Sequence, residues 1–357
     1  DDAVTVDVTT TEGTRRDTRQ SGVFGGRFTL DKAGSYAFLL DVGNSMATRW
    51  QIEVDGKTVF DFRNQWLPPT TSWKMDLAAG THTITVRGDR RDNPSVFFRP
   101  EQDNLVLRSP VAEQLDYLFF AGTGDEVIGA YRTLTGAATL LPDWIFGYIH
   151  CRERFSSQEQ LLENAREFRD RGLPMDVIVQ DWQYWGKYGW NAMRFDEGYY
   201  PDPAKMVEEL HDMDARLMLS VWSKVDPNSE LGKQFSEKGF YIPGTQWVDF
   251  FNPEAAAFYW SNFSEKLLSL GIDAWWQDAT EPENDDLVGR KTFLGSGEKM
   301  RLIYPLFVTK TVYEGQRKDR PDSRVFILTR SAFLGQQRYA AATWSGDIGN
   351  SWETLRR

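Results

Sequence analysis

The stretch Ile272-Asp-Ala-Trp-Trp276, followed by Gln277 and Asp278, is a short and mostly apolar run that ends on an acid. Comparable runs recur along the same part of the chain: Trp144–Ile149, Val177–Val179, Leu217–Trp222, Val325–Leu328 and Ala341–Trp344. Between several of them the apolar spacing becomes helical. Leu161, Ala165 and Phe168 follow i, i+4, i+7, as do Trp260, Phe263 and Leu267. Strand then helix, repeated, with strands apolar on both faces, calls for a parallel sheet. No Gly-x-Gly-x-x-Gly fingerprint accompanies the repeats, which favours a (β/α)8 TIM barrel over a dinucleotide-binding sheet. A further run, Trp247–Phe251, fits either a barrel strand or part of a long loop.

Upstream, to about residue 108, the texture is β throughout. Gly26–Leu30, Ser35–Asp41, Trp50–Val54, Lys57–Phe62 and Thr81–Arg87 alternate partially and are separated by turn signals. Asp55-Gly56 is a strong hairpin cue, because both residues accept positive φ. No helical period interrupts, so the expectation is a β-sandwich.

The chain has 357 residues and a net charge of −11, with 41% hydrophobic and 26% charged residues. These values describe a folded multidomain protein. The acidic balance argues against nucleic acid or an anionic membrane as partner. No apolar run is long enough for a transmembrane segment. Cys151 is the one cysteine, which rules out an internal disulfide. The first residues carry no signal peptide. A leader removed or lying upstream leaves the compartment open, with export, to the periplasm or outside a bacterial cell, as the expectation. Oligomeric state cannot be read. The unusual number is the aromatics, 14 Trp, 13 Tyr and 23 Phe.

In a β/α barrel the C-terminal strand ends build the active site. The first ionisable residue after each of four apolar runs is Asp181, Asp278, Arg330 and Asp347, and Trp222 closes another run. A single Asp there often caps the next helix; four ionisable groups at successive strand ends point to a functional cluster. Trp182, Tyr184, Trp185, Trp222, Trp275, Trp276 and Trp344 fall beside these positions, and about half are expected to face the pocket, the rest the core.

Other chemistries drop out. There is no Gly-x-Ser-x-Gly, His-Glu-x-x-His or Cys-x-x-Cys motif, and residues 295–299 lack the spacing of a phosphate loop. His82, His150 and His211 lack ligand spacing, and a packed or solvated role suits His150 better than a pocket role. The acidic run 281–286 reads as a solvated loop rather than a cation site. The sequon at Asn262 lies in an expected helix and reads as accidental. Two carboxylates in an aromatic pocket are the minimum set for cleaving a glycosidic bond.

At this point a resemblance becomes specific. Gly271-Ile-Asp-Ala-Trp-Trp-Gln-Asp278-Ala-Thr-Glu-Pro282 is similar to the nucleophile motif of glycoside hydrolase family 31, with its Glu three residues after the Asp. Phe326-Ile-Leu-Thr-Arg330 resembles that family's arginine motif, and Trp344-Ser-Gly-Asp347 its acid/base motif. Val179-Gln-Asp181-Trp and Ser220-Val-Trp222 resemble its pocket-wall strands, and the wording is closest to the α-xylosidase branch. The resemblance implies a retaining exo-acting α-glycosidase that removes terminal α-xylosyl residues, with α-1,6-xylose of xyloglucan oligosaccharides as the expected substrate. Asp278 would be the nucleophile and Asp347 the acid/base. Asp181, Trp182, Trp222, Trp276, Arg330 and Trp344 would bind the sugar, and Phe155 would sit where xylose lacks the C6 group of glucose. The family implies no cofactor and no metal. An α-glucosidase or transglycosylase is the alternative within the family, and a non-catalytic carbohydrate-binding protein the alternative outside it.

The N-terminal region resembles a PA14 domain, through Gly26-Arg-Phe-Thr-Leu, Ala33-Gly-Ser-Tyr-Ala-Phe, Val54-Asp-Gly-Lys and Leu77-Ala-Ala-Gly-Thr-His-Thr-Ile. The expected division is a PA14-like sandwich over 1–108, the end of the family's N-terminal β-sandwich over 109–140, and a catalytic barrel over 141–357. From Asp143 onward there are fewer residues than the roughly 250 of a complete barrel. The expectation is therefore a barrel incomplete after its sixth strand, with an open edge, in a chain truncated at both ends and poorly active alone.

Overall fold

The computed structural model describes residues 3–10, 13–42, 49–63, 71–102, 111–282, 286–346 and 352–356. The chain divides into two compact units, built on residues 1–108 and 109–346.

The first unit contains β1 (Ala3–Thr10), β2 (Gly13–Leu30), β3 (Gly34–Asp41), β4 (Arg49–Val54), β5 (Lys57–Arg63), β6 (Thr71–Leu77), β7 (Gly80–Asp89) and β8 (Ser95–Pro100). They form two antiparallel sheets, in the orders β1-β2-β7-β4-β5 and β6-β3-β8. Strand β3 alternates buried Phe38 and Leu40 with more exposed neighbours, the period-2 pattern of a half-buried strand. Leu30 and Val54 of the larger sheet share a core with Tyr36, Phe38 and Leu77 of the smaller one, so the two sheets form the expected sandwich. The Asp55-Gly56 turn closes the β4–β5 hairpin, with φ of 49° and 75°. Strands β1, β6 and β8 were not among the expected ones. In β6 and β8 lysine, aspartate and arginine interrupt the apolar alternation, and both strands flank β3 at the edges of its sheet.

In the second unit, residues 111–123 carry no strand and α1 (Gly124–Thr135) follows. A capping box explains the helix start: Thr123 Oγ1 accepts from Glu126 N while Glu126 Oε2 accepts from Thr123 N. Beyond it lie β9 (Ile149–His150), α2 (Gln158–Asp170), β10 (Val177–Gln180), α3 (Pro203–Asp212), β11 (Arg216–Trp222), α4 (Glu230–Glu237), α5 (Pro253–Lys266) and β12 (Ala274–Asp278). A small hairpin, β13 (Lys291–Thr292) and β14 (Gly295–Ser296), leads to α6 (Gly297–Met300), α7 (Tyr304–Asp319), β15 (Ile327–Thr329) and β16 (Ala341–Thr343).

Six strands form one sheet in chain order, β9-β10-β11-β12-β15-β16, all parallel. This is a partial β/α barrel, with β9 and β16 at its edges. Helices start on side-chain caps, Ser157 for α2, Asp202 for α3, Ser229 for α4 and Asn252 for α5. The stripe Leu161 and Ala165 is fully buried, as is Phe263 of α5.

The strands alternate between two cores. Val177, Val179, Met218 and Ala274 pack together on the concave side with Trp276 and Leu328. Ile178, Leu217, Leu219, Val221, Trp275 and Ile327 face the helices. Polar bonds tie the helical layer down: Trp275 Nε1 donates to Gln316 at 2.7 Å, and Thr309 Oγ1 donates to Gln277 at 3.0 Å.

One expected strand differs, and one open run is decided. Within 144–149 only Ile149 is strand, because Asp143–Phe146 winds into a 3-10 turn that starts with Asp143 Oδ1 accepting from Trp144 N. Gly147 then passes so near Asp176 that a Cβ would lie 2.0 Å from its carboxylate. That carboxylate accepts Tyr148 N at 2.9 Å, which delays entry into the sheet. The run 247–251 is not a barrel strand. It pairs only through isolated antiparallel bridges to Lys224 and Tyr241, inside the long excursion after β11.

Candidate active site

Pairing between strands decides which side chains meet. In the ladder, Ser220 stands opposite Trp276 and Trp222 opposite Asp278. Trp276 is opposite Leu328 and Gln277 opposite Thr329, so the next position matches Asp278 with Arg330. Leu328 is opposite Ala342 and Thr329 opposite Thr343, which brings Trp344 level with Arg330. Gln180 is opposite Leu219, placing Asp181 level with Ser220. Since side chains alternate strictly, Asp181, Trp222, Asp278, Arg330 and Trp344 all continue the concave series. They gather at the C-terminal ends of the strands, where barrel chemistry sits.

Arg330 is the electrostatic hub. Its Nη1 lies 3.3 Å from Asp278 Oδ1. Its Nε donates to Glu281 Oε1 at 2.6 Å, and Nη2 donates to the same oxygen. Ser331 Oγ donates to Glu281 Oε2 at 2.6 Å. Asp278 Oδ1 also accepts Ala279 N at 2.7 Å, around a residue held at φ 48°. Asp181 is 7% exposed, and its Oδ1 accepts Trp182 N at 2.7 Å. Burial pushes its pKa up to about 7, helped by the negative charge of Asp278 and opposed by the Trp182 N–H. Asp181 is thus a carboxyl that can carry its proton near neutrality.

Indoles wall the site. Trp276 and Trp344 meet edge to face at 5.3 Å. Trp190 packs edge to face on Trp222 at 4.8 Å and lies 6.1 Å from Trp182. The guanidinium of Arg154 sits 4.4 Å over the Trp182 ring. Phe155 is placed differently: its ring is 1% exposed within the core, and its carbonyl accepts Tyr200 OH. Tyr184 and Trp275 are core residues too. Asp347 lies outside the described residues.

The expectation of a merely solvated run at 281–286 is corrected. Glu281 is paired with Arg330 and Ser331, and Asp286 accepts Trp247 Nε1 at 2.6 Å; residues 283–285 lie outside the described residues. Spacing from Asp278 was the available signal for Glu281. Trp190 was missed because it lies in a loop with no periodicity. His150 packs beside Phe168 with its ring centroid 4.8 Å away, and burial lowers its pKa. Asn262 is 8% exposed and donates to the Phe258 carbonyl within α5, so the sequon is closed to modification in this fold. No group of three or more His, Cys, Asp or Glu placed to hold a metal occurs among the described residues. No helix among them is long and apolar enough to cross a membrane. A cavity of about 590 Å³ elsewhere on this unit, lined by Tyr188, Arg194, Glu197, Glu230 and Lys266 among others, shares none of the strand-end residues.

A concave layer of two carboxyls, a guanidinium and several indoles at the strand ends of a parallel barrel sheet is the kind of site found in glycosidases. The comparisons give the family. A model of the glycosyl hydrolases family 31 TIM-barrel domain matches residues 138–357, and the chain belongs to that family. An α-xylosidase of Saccharolobus solfataricus is 46% identical over 265 residues, which cover 71% of this chain and 36% of that protein. The α-glucosidase 2 of Bacillus thermoamyloliquefaciens is 28% identical over 68% of this chain and 34% of its own length. Among solved structures, the family 31 α-xylosidase of Xanthomonas citri superposes with a TM-score of 0.80 at 33% identity, covering 95% of this chain and 40% of that one. A soil-metagenome α-xylosidase solved with xylose shares the fold, with a TM-score of 0.62 at 24% identity over 94% of this chain and 50% of that one. The chain therefore spans well under half the length of the two curated relatives and half or less of the two solved structures.

Proposed function

We propose that the protein containing this chain is a retaining, exo-acting α-xylosidase that removes terminal α-xylosyl residues from oligosaccharides. The single observation that carries the reading is the Asp278–Arg330 pair at the strand ends, in a chain 46% identical to an α-xylosidase over most of its length.

Asp278 attacks the anomeric carbon, forming a glycosyl–carboxylate ester as the bond to the aglycone oxygen breaks. Asp347 gives its proton to that oxygen and then takes one from the water that hydrolyses the ester. Arg330, 3.3 Å from Asp278, orients its carboxylate for attack. Asp181, protonated in part near neutrality, can both donate to and accept from sugar hydroxyls. Trp222, Trp276 and Trp344 pack on the C–H faces of the sugar, with Trp182 beside them. Phe155, buried in the same core as Trp182 and Trp222, is the bulk this reading sets against a C6 hydroxymethyl group. Xyloglucan oligosaccharides, with α-1,6-linked xylose, fit this reading as substrate.

The same reading assigns 1–108 to a PA14-like domain, 109–140 to the end of an N-terminal sandwich, and 141–357 to a barrel continued by strands outside this chain. It also places the protein outside the cytoplasm.

Relatives named as α-glucosidases keep α-glucoside hydrolysis as a second reading. Paired kinetics on aryl α-xyloside and aryl α-glucoside separate the two. A higher kcat/KM on the xyloside is expected; a higher value on the glucoside overturns the xylosidase assignment.

A further inference from the structure

The loop between β10 and α3, residues 181–202, is held in an unusual backbone. Gln183, Asn191 and Met193 all have positive φ, at 67°, 52° and 52°. Glu153 and Ala279, the other such residues that follow strand ends at this face, join them. Each such residue costs on the order of 1–3 kcal/mol, less for Asn, and persists only where its surroundings over-determine it. At Asn191 those surroundings are identifiable. The side chain is fully buried, and its Nδ2 donates to the carbonyl of Trp222 at 2.6 Å and to that of Lys224 at 3.1 Å. Tyr259 of α5 donates its hydroxyl to the same Trp222 carbonyl at 2.8 Å. Two side chains from different elements thus grip the last residue of β11.

The preceding residue completes the brace. Trp190 lays its ring edge to face on the Trp222 indole, at 4.8 Å and 81°. Its carbonyl accepts Asp226 N at 3.0 Å, and a Cβ on Gly189 would lie 2.7 Å from the Asp226 carboxylate. Trp185 backs Trp190 at 5.2 Å. Trp222 is therefore set from two sides, its backbone by Asn191 and Tyr259 and its indole by the perpendicular ring of Trp190.

We propose that Asn191, together with Tyr259, is a positioning residue that fixes the Trp222 indole as a preformed sugar platform, so that sugar binding does not have to order it. This rests on the reading of Trp222 as a wall of the sugar site. A platform that contacts ground state and transition state alike changes KM and leaves kcat in place.

The test uses the intact protein. Asn191→Gly removes the amide while leaving a left-handed backbone that glycine adopts freely. Tyr259→Phe removes the second donor and keeps the ring packing. Kinetics on an aryl α-xyloside, and a tryptophan-fluorescence titration with xylose, are run on each variant and on the double variant. Each single variant is expected to raise KM and the xylose Kd about fivefold or more with kcat within about twofold, and the two effects are expected to be non-additive. KM and Kd within about twofold of wild type in Tyr259→Phe and in folded Asn191→Gly overturn the proposal, as does a fall in kcat at constant KM. If Asn191→Gly does not fold, Tyr259→Phe alone decides. A wild type that prefers the α-glucoside refutes the substrate reading instead, and the same ratios on the glucoside, with glucose titrated, still decide the brace.

Discussion

Arg330 Nη1 lies 3.3 Å from Asp278 Oδ1, while the other side of the same guanidinium is committed to Glu281. One cation thus joins two carboxylates three residues apart, and the ladder between β12 and β15 brings it to them. The pair is partly buried, with side-chain exposures of 21% and 18%, so its Coulomb energy is screened less than that of a surface pair.

Asp278→Asn removes the carboxylate that the proposed mechanism uses for attack, with almost no change in volume. Turnover of an aryl α-xyloside is expected to fall by at least about 10⁴-fold while xylose affinity, read by calorimetry, stays within about tenfold. Retained turnover would show that another group is the nucleophile.

Glu281→Gln leaves a neutral acceptor for a charge-assisted pair. The expected result is a loss of about 10- to 100-fold in kcat/KM, since such hydrogen bonds to charged groups contribute about 1.5–3 kcal/mol. Steady-state kinetics with a melting temperature check it, and an unchanged kcat/KM would confine Glu281 to a structural role.

Asp181 gives a signed pH effect. Its folded pKa, pushed up to about 7, is above the usual carboxylate value, so the folded state holds a proton the unfolded chain has released between about pH 4 and 7. Its contribution to stability is fully present below about pH 4 and is lost as pH rises through about 7, on the order of 4 kcal/mol in all. Asp181→Asn should flatten that part of the stability–pH curve. Denaturant melts at pH 5 and pH 8 measure it, and equal pH slopes for wild type and variant would contradict the assignment.

Gly88→Ala tests the sandwich. A Cβ there would lie 2.2 Å from the Trp50 ring, which is fully buried in the core between the sheets. Overpacking of this kind costs about 1–3 kcal/mol or more. The first unit's unfolding transition is expected to drop, with kcat/KM on a small aryl glycoside unchanged.

Much of this was legible in order. The short apolar runs named five of the six barrel strands within a few residues, and the first charged residue past each run named Asp181, Asp278 and Arg330. Trp144–Ile149 failed because a 3-10 turn, begun by Asp143 Oδ1 accepting from Trp144 N, competes locally with an extended run of the same apolar residues. Glu281 was read as solvated because its neighbours are acidic, and only its non-local partner shows otherwise.

Sequence alone therefore determined the fold class and the candidate acids, since alternation and strand-end placement are local properties of the chain. Tertiary structure decided which of these groups touch. The register that sets Arg330 against Asp278, the guanidinium that holds Glu281, and the grip of Asn191 and Tyr259 on Trp222 all join residues distant in sequence. No periodicity encodes such contacts; they exist only once the ladders and the buried amide have fixed the strand ends in space.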